Sequence, residues 1–462
     1  MGATESLAAF VVKTRFDAIP LEAWGGAKLA VLDGLGVALA GVDEPASRIV
    51  VRYVRGLGSG PEAGVIGCGF KTSKEGAALA NGTLMHALDY DDVSTAMGGH
   101  PTAPVLPAVL ALGQAAGASG GEVLTAYIVG VEVAVQVGQA LGAEHYGRGW
   151  HATATVGVLG AAAAASRLLG LDLSETGMAL GIAASAAGGL RQNFGTMTKP
   201  LHVGNAARGG VVASLLAREG FTADEHILEA PFGFFHVLGG RDDLARLDFP
   251  LGRPFAMGSS GLEMKPYPCC RVTHRAIDAM LHLVSEHPFS SGDVDEVVVA
   301  TGPQSPRILI HHRPRNGLEG KFSMEYCLAI AMIDGEVGLA QFTDERVRSP
   351  EPRGFLEKVR YVHPGRNDGD SALPTSPETV TVKLKGGREL SHRVEWPRGD
   401  PHNPMSREEL VSKYKACAER FLSPAALERS VEIVLNMENL GNVSELVELV
   451  TAGAPAESDR VE

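Results

Sequence analysis

The sequence predicts a mainly α protein in which a large all-helical domain is joined to a smaller α+β domain. Three observations predict it. Apolar residues recur at helical spacing through most of the first 258 residues, with alanine and glycine where helices would meet. Beyond that point β-branched runs appear, VDEVVVAT at 294–301 among them. Helical patterns then return at 406–421 and 424–439, so the end of the chain is expected to rejoin the first domain. A chain of 462 residues exceeds what one hydrophobic core usually serves. The expected division is 1–260 with 405–455 for the helical domain, 261–404 for the α+β domain, and 456–462 as a solvated tail.

Taken in order, residues 4–56 read as two helices, with Pro20 opening the second. Residues 75–88 form another, which runs into Asp89-Tyr90-Asp91-Asp92. His100-Pro101 then precedes an apolar helix at 105–116, and Gly120-Gly121 separates it from a long helix at 122–141. The stretch HYGRGWH, 145–151, reads as a loop, followed by an alanine-packed helix to 169. Helix is expected again over 172–187, with Ser174 as its N-cap. Pro200 disfavours helical geometry at Lys199, so Lys199 is expected at a helix break and the next helix over 205–219. In the second domain strands are expected at 294–301, 379–385 and 390–396, with a helix at 322–333, while Gly258 and Gly261 offer a hinge before it.

Formal net charge is −13 without a basic cluster, which argues against nucleic acid and anionic membrane surfaces as partners. Five scattered cysteines, odd in number and without paired metal spacing, point to a reducing, cytoplasmic setting. No charged segment followed by an apolar run marks a secretory signal. MGATES matches the loose myristoylation pattern, which chance often produces. Apolar runs such as 156–165 read as too short and alanine-rich to span a bilayer.

Candidate chemistry gathers at a few places. Between Lys74 and Lys321 the chain has only two lysines, Lys199 and Lys265, each followed by proline. Ammonium groups placed so sparingly suggest a site for a small anion. Around Lys199 stand Thr198 and His202. Asp89, Asp91 and Asp92 with His100 read either as an acid/base group or as metal ligands, and the lack of repeated histidine spacing weighs against metal. His151 follows Trp150 and precedes small residues, a partly desolvated wall that would keep its imidazole neutral. Cys270 lies near Lys265 and Arg271, cations that would favour its thiolate. Tyr326 reads as a core aromatic or a phenol facing the site. Together these groups describe proton abstraction beside a carboxylate, with lysines stabilising the enediolate-like charge. The contrasting reading is a carboxylate-binding protein without catalysis, which arginine forks would serve better.

The segments HALDYDD, GHPTAPVLPAVLAL, GWHATATVGVLGAAAAAS, NFGTMTKPLHVGNAAR, MKPYPCC and KFSMEY resemble the MmgE/PrpD family. Its members include dehydratases of 2-methylcitrate, decarboxylases of cis-aconitate and epimerases of iminodisuccinate. The resemblance implies a helical domain completed by the C-terminal helices and an α+β lid domain. It also implies a homodimer, no metal or organic cofactor, and a small di- or tricarboxylate substrate. Site residues of decarboxylating members fall on Asp89, His100, His151, Lys199, Lys265 and Tyr326. Two departures stand out: Val93 follows the acidic cluster where those members have threonine, with Ser94 or Thr95 as substitutes, and Cys270 stands in place of a histidine. Epimerising members match at NFGTMTKP and Cys270. The expected reaction is loss of water, with epimerisation and then decarboxylation as alternatives.

Overall fold

Small residues decide how the helices of the larger unit meet. In the computed structural model, which describes residues 2–240, 249–258, 261–362 and 373–452, this unit comprises residues 1–192, 198–264 and 406–462. Its principal helices are α1 (Leu21–Ala40), α2 (Lys74–His86), α3 (Thr102–Ala116), α4 (Gly120–Gly147), α5 (Gly157–Leu169), α6 (Leu173–Ser185), α7 (Thr198–Arg218) and α8 (Arg407–Ala418). The fold is mainly α, with strands confined to two small sheets among the described residues.

The tightest crossing that matters for function lies between α2 and α7. A Cβ on Gly204 would fall 2.3 Å from the Leu79 carbonyl oxygen, and one on Gly82 would fall 3.0 Å from the Gly204 Cα. Only glycine permits this approach, and it sets the end of α2 beside the start of α7. The surrounding core is alanine-rich: Ala77, Ala78, Ala108, Ala161, Ala165 and Ala207 are buried together with Val211. The stretches at Leu21–Asp43, Gly120–Gly147 and Ala152–Leu169 are long and apolar enough to cross a bilayer, more so than the sequence reading allowed. Here 67%, 89% and 83% of those apolar windows are buried inside the protein.

Several sequence expectations need correcting. Residues 4–56 hold three α-helices rather than two, because Pro45 starts a further one, Pro45–Gly56. The long helix runs to Gly147 with a kink at Gly142, so His145 and Tyr146 are helical rather than part of a loop. Asp172, not Ser174, caps α6: it accepts from the Glu175 N–H at 2.8 Å while Glu175 accepts from the Asp172 N–H at 2.9 Å. Helix α7 starts at Thr198, before Pro200 rather than after it. Proline in a first turn sacrifices no hydrogen bond, since those N–H groups have no intrahelical partner. The hairpin of β1 (Ala63–Val65) and β2 (Phe70–Thr72) went unread.

The second unit comprises residues 193–197 and 265–405. The 193–197 segment packs within it: His311 Nε2 donates to the Phe194 carbonyl at 2.9 Å, and the Phe194 and Phe322 rings lie 5.3 Å apart. Its sheet has the order β4-β3-β5-β6, with β3 Val294–Ala300, β4 Val359–Val362, β5 Glu378–Leu384 and β6 Glu389–Val394. β3 runs parallel to β4 and antiparallel to β5, pairing Val297 with Val382. Alternating valines, Val297 and Val299 opposite Val382 and Val380, are buried, and the helix His274–Glu286 packs on β5 and β6. The β4 strand was not expected, and the helix expected from 322 begins at Met324, capped by Ser323. None of the five cysteines forms a disulfide. The expected tail at 456–462 lies outside the described residues.

Candidate active site

Four stretches of the larger unit deliver their side chains to one buried place. Helix α2 ends at His86, and the chain turns back through Asp89 at φ 53°, the one non-glycine residue with positive φ among the described residues. Such a left-handed turn costs about 1–2 kcal/mol outside glycine, and aspartate is among the few residues that tolerate it. Asp91 thereby returns toward His86. His100 stands just before α3, and Lys199 lies in the first turn of α7. His151 precedes the short helix Ala152–Thr155 and donates its N–H to the Gly189 carbonyl at 3.0 Å.

Lys199 Nζ lies 2.8 Å from His86 Nε2 and 3.2 Å from Asp89 Oδ1. An ammonium only donates, so His86 Nε2 accepts and the ring proton sits on Nδ1. That N–H meets Asp91 at 2.8 Å to Oδ2 and 3.0 Å to Oδ1. His100 is placed between the two carboxylates, Nδ1 3.1 Å from Asp91 Oδ2 and Nε2 3.6 Å from Asp89 Oδ1. The His86 and His100 rings meet edge-on at 4.5 Å, and the His151 ring lies 5.8 Å from that of His86. His151 and His202 share a hydrogen bond between their Nδ1 atoms at 3.2 Å.

Burial, with the Lys199 charge among the other causes, pushes the His86 pKa down to about 4. Burial and then Lys199 also hold His151 well below the ordinary imidazole range, so it is neutral at pH 7. His202 falls to about 4 for the same two reasons. Burial opposes ionisation of Asp91, yet His100 and His86 outweigh it and hold the carboxyl well below the usual range. Asp92 behaves oppositely: burial and the neighbouring Asp91 raise it well above that range. Adjacent carboxyls are thus driven in opposite directions. Asp92 accepts from the Thr102 hydroxyl at 2.8 Å, and that hydroxyl is bonded to the Tyr127 phenol.

By composition this is also a metal-ligand set, since His86, Asp89, Asp91 and His100 each offer an atom within 4.8 Å of the others. The Lys199 ammonium contacts two of those four residues, however. A metal ion would have to displace this fixed positive charge, and the residues therefore suit the lysine better than a metal.

The larger unit thus brings together Asp89, Asp91, His100, His151, Lys199 and His202, with Thr198 beside them at the start of α7. Lys265, Cys270, Arg271 and Tyr326 lie in the second unit. There Lys265 Nζ donates to the Cys269 carbonyl at 2.9 Å, and the Cys270 N–H to the Lys321 carbonyl at 2.9 Å. Arg271 pairs with Asp400 at 3.2 Å, both buried. Tyr326 is fully buried, and its phenol donates to the Gln341 carbonyl. Sequence reasoning missed His86, the residue on which Lys199 and Asp91 converge, although it opens the HALDYDD segment. Of the two hydroxyls after the acidic cluster, Thr95 donates to Glu263, and Ser94 accepts from the Met97 N–H at 3.2 Å.

Residues 5–247 match the MmgE/PrpD N-terminal domain, and residues 267–439 match the MmgE/PrpD C-terminal domain. The chain is 30% identical to a cis-aconitate decarboxylase of Mus musculus over 92% of its own length and 88% of that protein's. It is 30% identical to one of Homo sapiens, covering 93% and 90%, and 28% identical to one of Aspergillus terreus, covering 97% and 96%. Such similarity along both chains defines an enzyme. The chain belongs to the MmgE/PrpD family.

Proposed function

We propose that the protein is a lyase that uses its own side chains to remove water from a small di- or tricarboxylate such as 2-methylcitrate. The observation that carries this reading is the buried Lys199 ammonium, 2.8 Å from a neutral His86 and beside Asp89, with a second neutral imidazole, His151, close by. His151 takes the proton from the carbon next to a substrate carboxylate. The C–H electron pair moves into that carboxylate as an enediolate, and the Lys199 charge stabilises it in a dry setting. His100, set between Asp89 and Asp91, gives a proton to the departing hydroxyl as the C–O bond breaks. An incoming polyanion offsets the Lys199 charge that, after burial, depresses His151, since nearby negative charge favours the imidazolium.

A second reading, decarboxylation of cis-aconitate, is favoured by the relatives of 28–30% identity that carry that name. It shares the buried lysine and imidazoles but breaks a C–C bond instead. Proton NMR of the protein with 2-methylcitrate, cis-aconitate and iminodisuccinate in deuterated water separates these outcomes. Dehydration gives a new alkene signal from 2-methylcitrate, and decarboxylation consumes cis-aconitate with release of CO2. Deuterium entering recovered iminodisuccinate without net loss marks an epimerase. Binding of all three acids without turnover or exchange would reject the lyase reading in favour of a carboxylate-binding protein.

A further inference from the structure

Behind the acidic turn lies another buried lysine of the larger unit, one that the chemistry above does not use. Lys413, on α8, places its Nζ 2.7 Å from Asp33 Oδ1 on α1, and donates to the Tyr90 carbonyl at 2.9 Å. The same ammonium sits 3.8 Å from the centroid of the Tyr90 ring. Its side chain is 5% exposed and that of Asp33 1%, so the pair is held away from water. Helix α8 reaches this depth because Gly36 of α1 has no side chain. A Cβ there would lie 3.0 Å from the Tyr414 ring and 3.2 Å from the Tyr414 Cα. Asp33 and Gly36 are about one turn apart on α1, so the approach that seats Tyr414 also seats Lys413.

Tyr90 is flanked by the two carboxylates that matter most, Asp89 in its left-handed conformation and Asp91. A strained backbone persists only where its surroundings over-determine it, and Lys413 grips both the carbonyl and the ring of the residue that follows the strain. We propose that Lys413, anchored by Asp33, is a positioning residue: it fixes the Asp89–Asp91 turn so that Asp89 reaches Lys199 and Asp91 holds the His86 Nδ1–H. This rests on reading the His86–Lys199 cluster as the reactive centre. Helix α8 thereby shapes a site whose reacting groups, as read above, come from residues 86–202.

Removing Lys413 alone would leave Asp33 buried without its cation, which destabilises a fold whatever else the lysine does. The test is therefore the neutral pair Asp33→Asn with Lys413→Met, and separately Tyr90→Leu, which keeps the ion pair but deletes the ring. Each is compared with wild type by steady-state kinetics and by long-range 1H–15N spectra of histidine-labelled protein, His86 being assigned with a His86→Gln variant. The expected result is a fall in kcat of about 10- to 100-fold, as small misplacements produce, with KM changed far less. The ring nitrogens of His86 shift in both variants, and less in Tyr90→Leu. Native kcat and an unmoved His86 signal in a folded variant would overturn the proposal, and if the neutral pair does not fold Tyr90→Leu alone decides it. Should wild type turn over none of the acids, the lyase reading fails while the His86 signal still decides the positioning role.

Discussion

A lysine ammonium 2.8 Å from a ring nitrogen fixes the tautomer of His86. His86 must present a bare Nε2 to it and an N–H to Asp91, and the low pKa of His86, about 4, keeps it in that form at neutral pH. His151 is neutral and shares a hydrogen bond with the His202 imidazole. Replacing His151 by Gln keeps a hydrogen-bonding group but removes the base, and turnover is expected to fall by about 10²- to 10⁴-fold. Unchanged kcat in His151→Gln would assign proton abstraction elsewhere. Lys199 and His151 were readable as candidates because each is a lone polar group beside proline or tryptophan, and the acidic cluster because three carboxylates stand together at a helix end. His86 was not, because one histidine in the alanine-rich run EGAALANGTLMHAL carries no periodicity and no motif spacing of its own. Its meaning comes from an αL turn at Asp89 that brings Asp91 back onto it, and such a turn is invisible until the backbone is seen.

Helices α2 and α7 are the elements that make the site, and the bare backbone at Gly204 sets how close they come. Gly204→Val would press a branched side chain into the Leu79 carbonyl and the Thr83 hydroxyl, each 2.3 Å from a Cβ at that position. The expected consequences are a loss of stability of about 1–3 kcal/mol and a lower kcat, because Lys199 moves away from His86. Chemical denaturation and turnover measure the two effects, and a variant as stable and active as wild type would show that the crossing is not what places Lys199. Long helices were readable from apolar spacing, with errors at their ends. Pro200 reads as a barrier in the sequence, whereas in a first turn it is a normal helix residue. The hairpin at Ala63–Thr72 and the strand Val359–Val362 were missed because three or four residues are too few to display alternation.

Across the whole molecule, buried histidines tie stability to pH. His86, His145 and His202 are each pushed down to about 4, with burial the first cause in every case. In the unfolded chain each titrates near 6.5. Below that pH the unfolded state binds more protons than the folded one, so folding stability falls as pH falls. The stability they contribute is therefore fully present above about pH 6.5 and is lost down to about pH 4, where the folded groups protonate as well. The melting midpoint should drop steadily across that window, and His145→Gln should flatten part of the slope. A midpoint independent of pH between 7 and 4.5 would contradict the burial of these imidazoles.

The two-part organisation was also legible, since helical spacing gives way to β-branched runs near residue 258. The structure assigns residues 265–405 with 193–197 to the second unit. The short 193–197 segment could not be placed from sequence, because its membership depends on Phe194 packing with Phe322 and on His311.

The most direct measurement is turnover by a Lys199→Ala variant, checked for native circular dichroism, on whichever carboxylic acid wild type consumes. The account predicts that the variant folds and loses activity by about 10³-fold or more, as expected when a buried group that stabilises developing negative charge is removed. A folded Lys199→Ala protein with wild-type kcat would show that the buried ammonium is not where the reaction is driven.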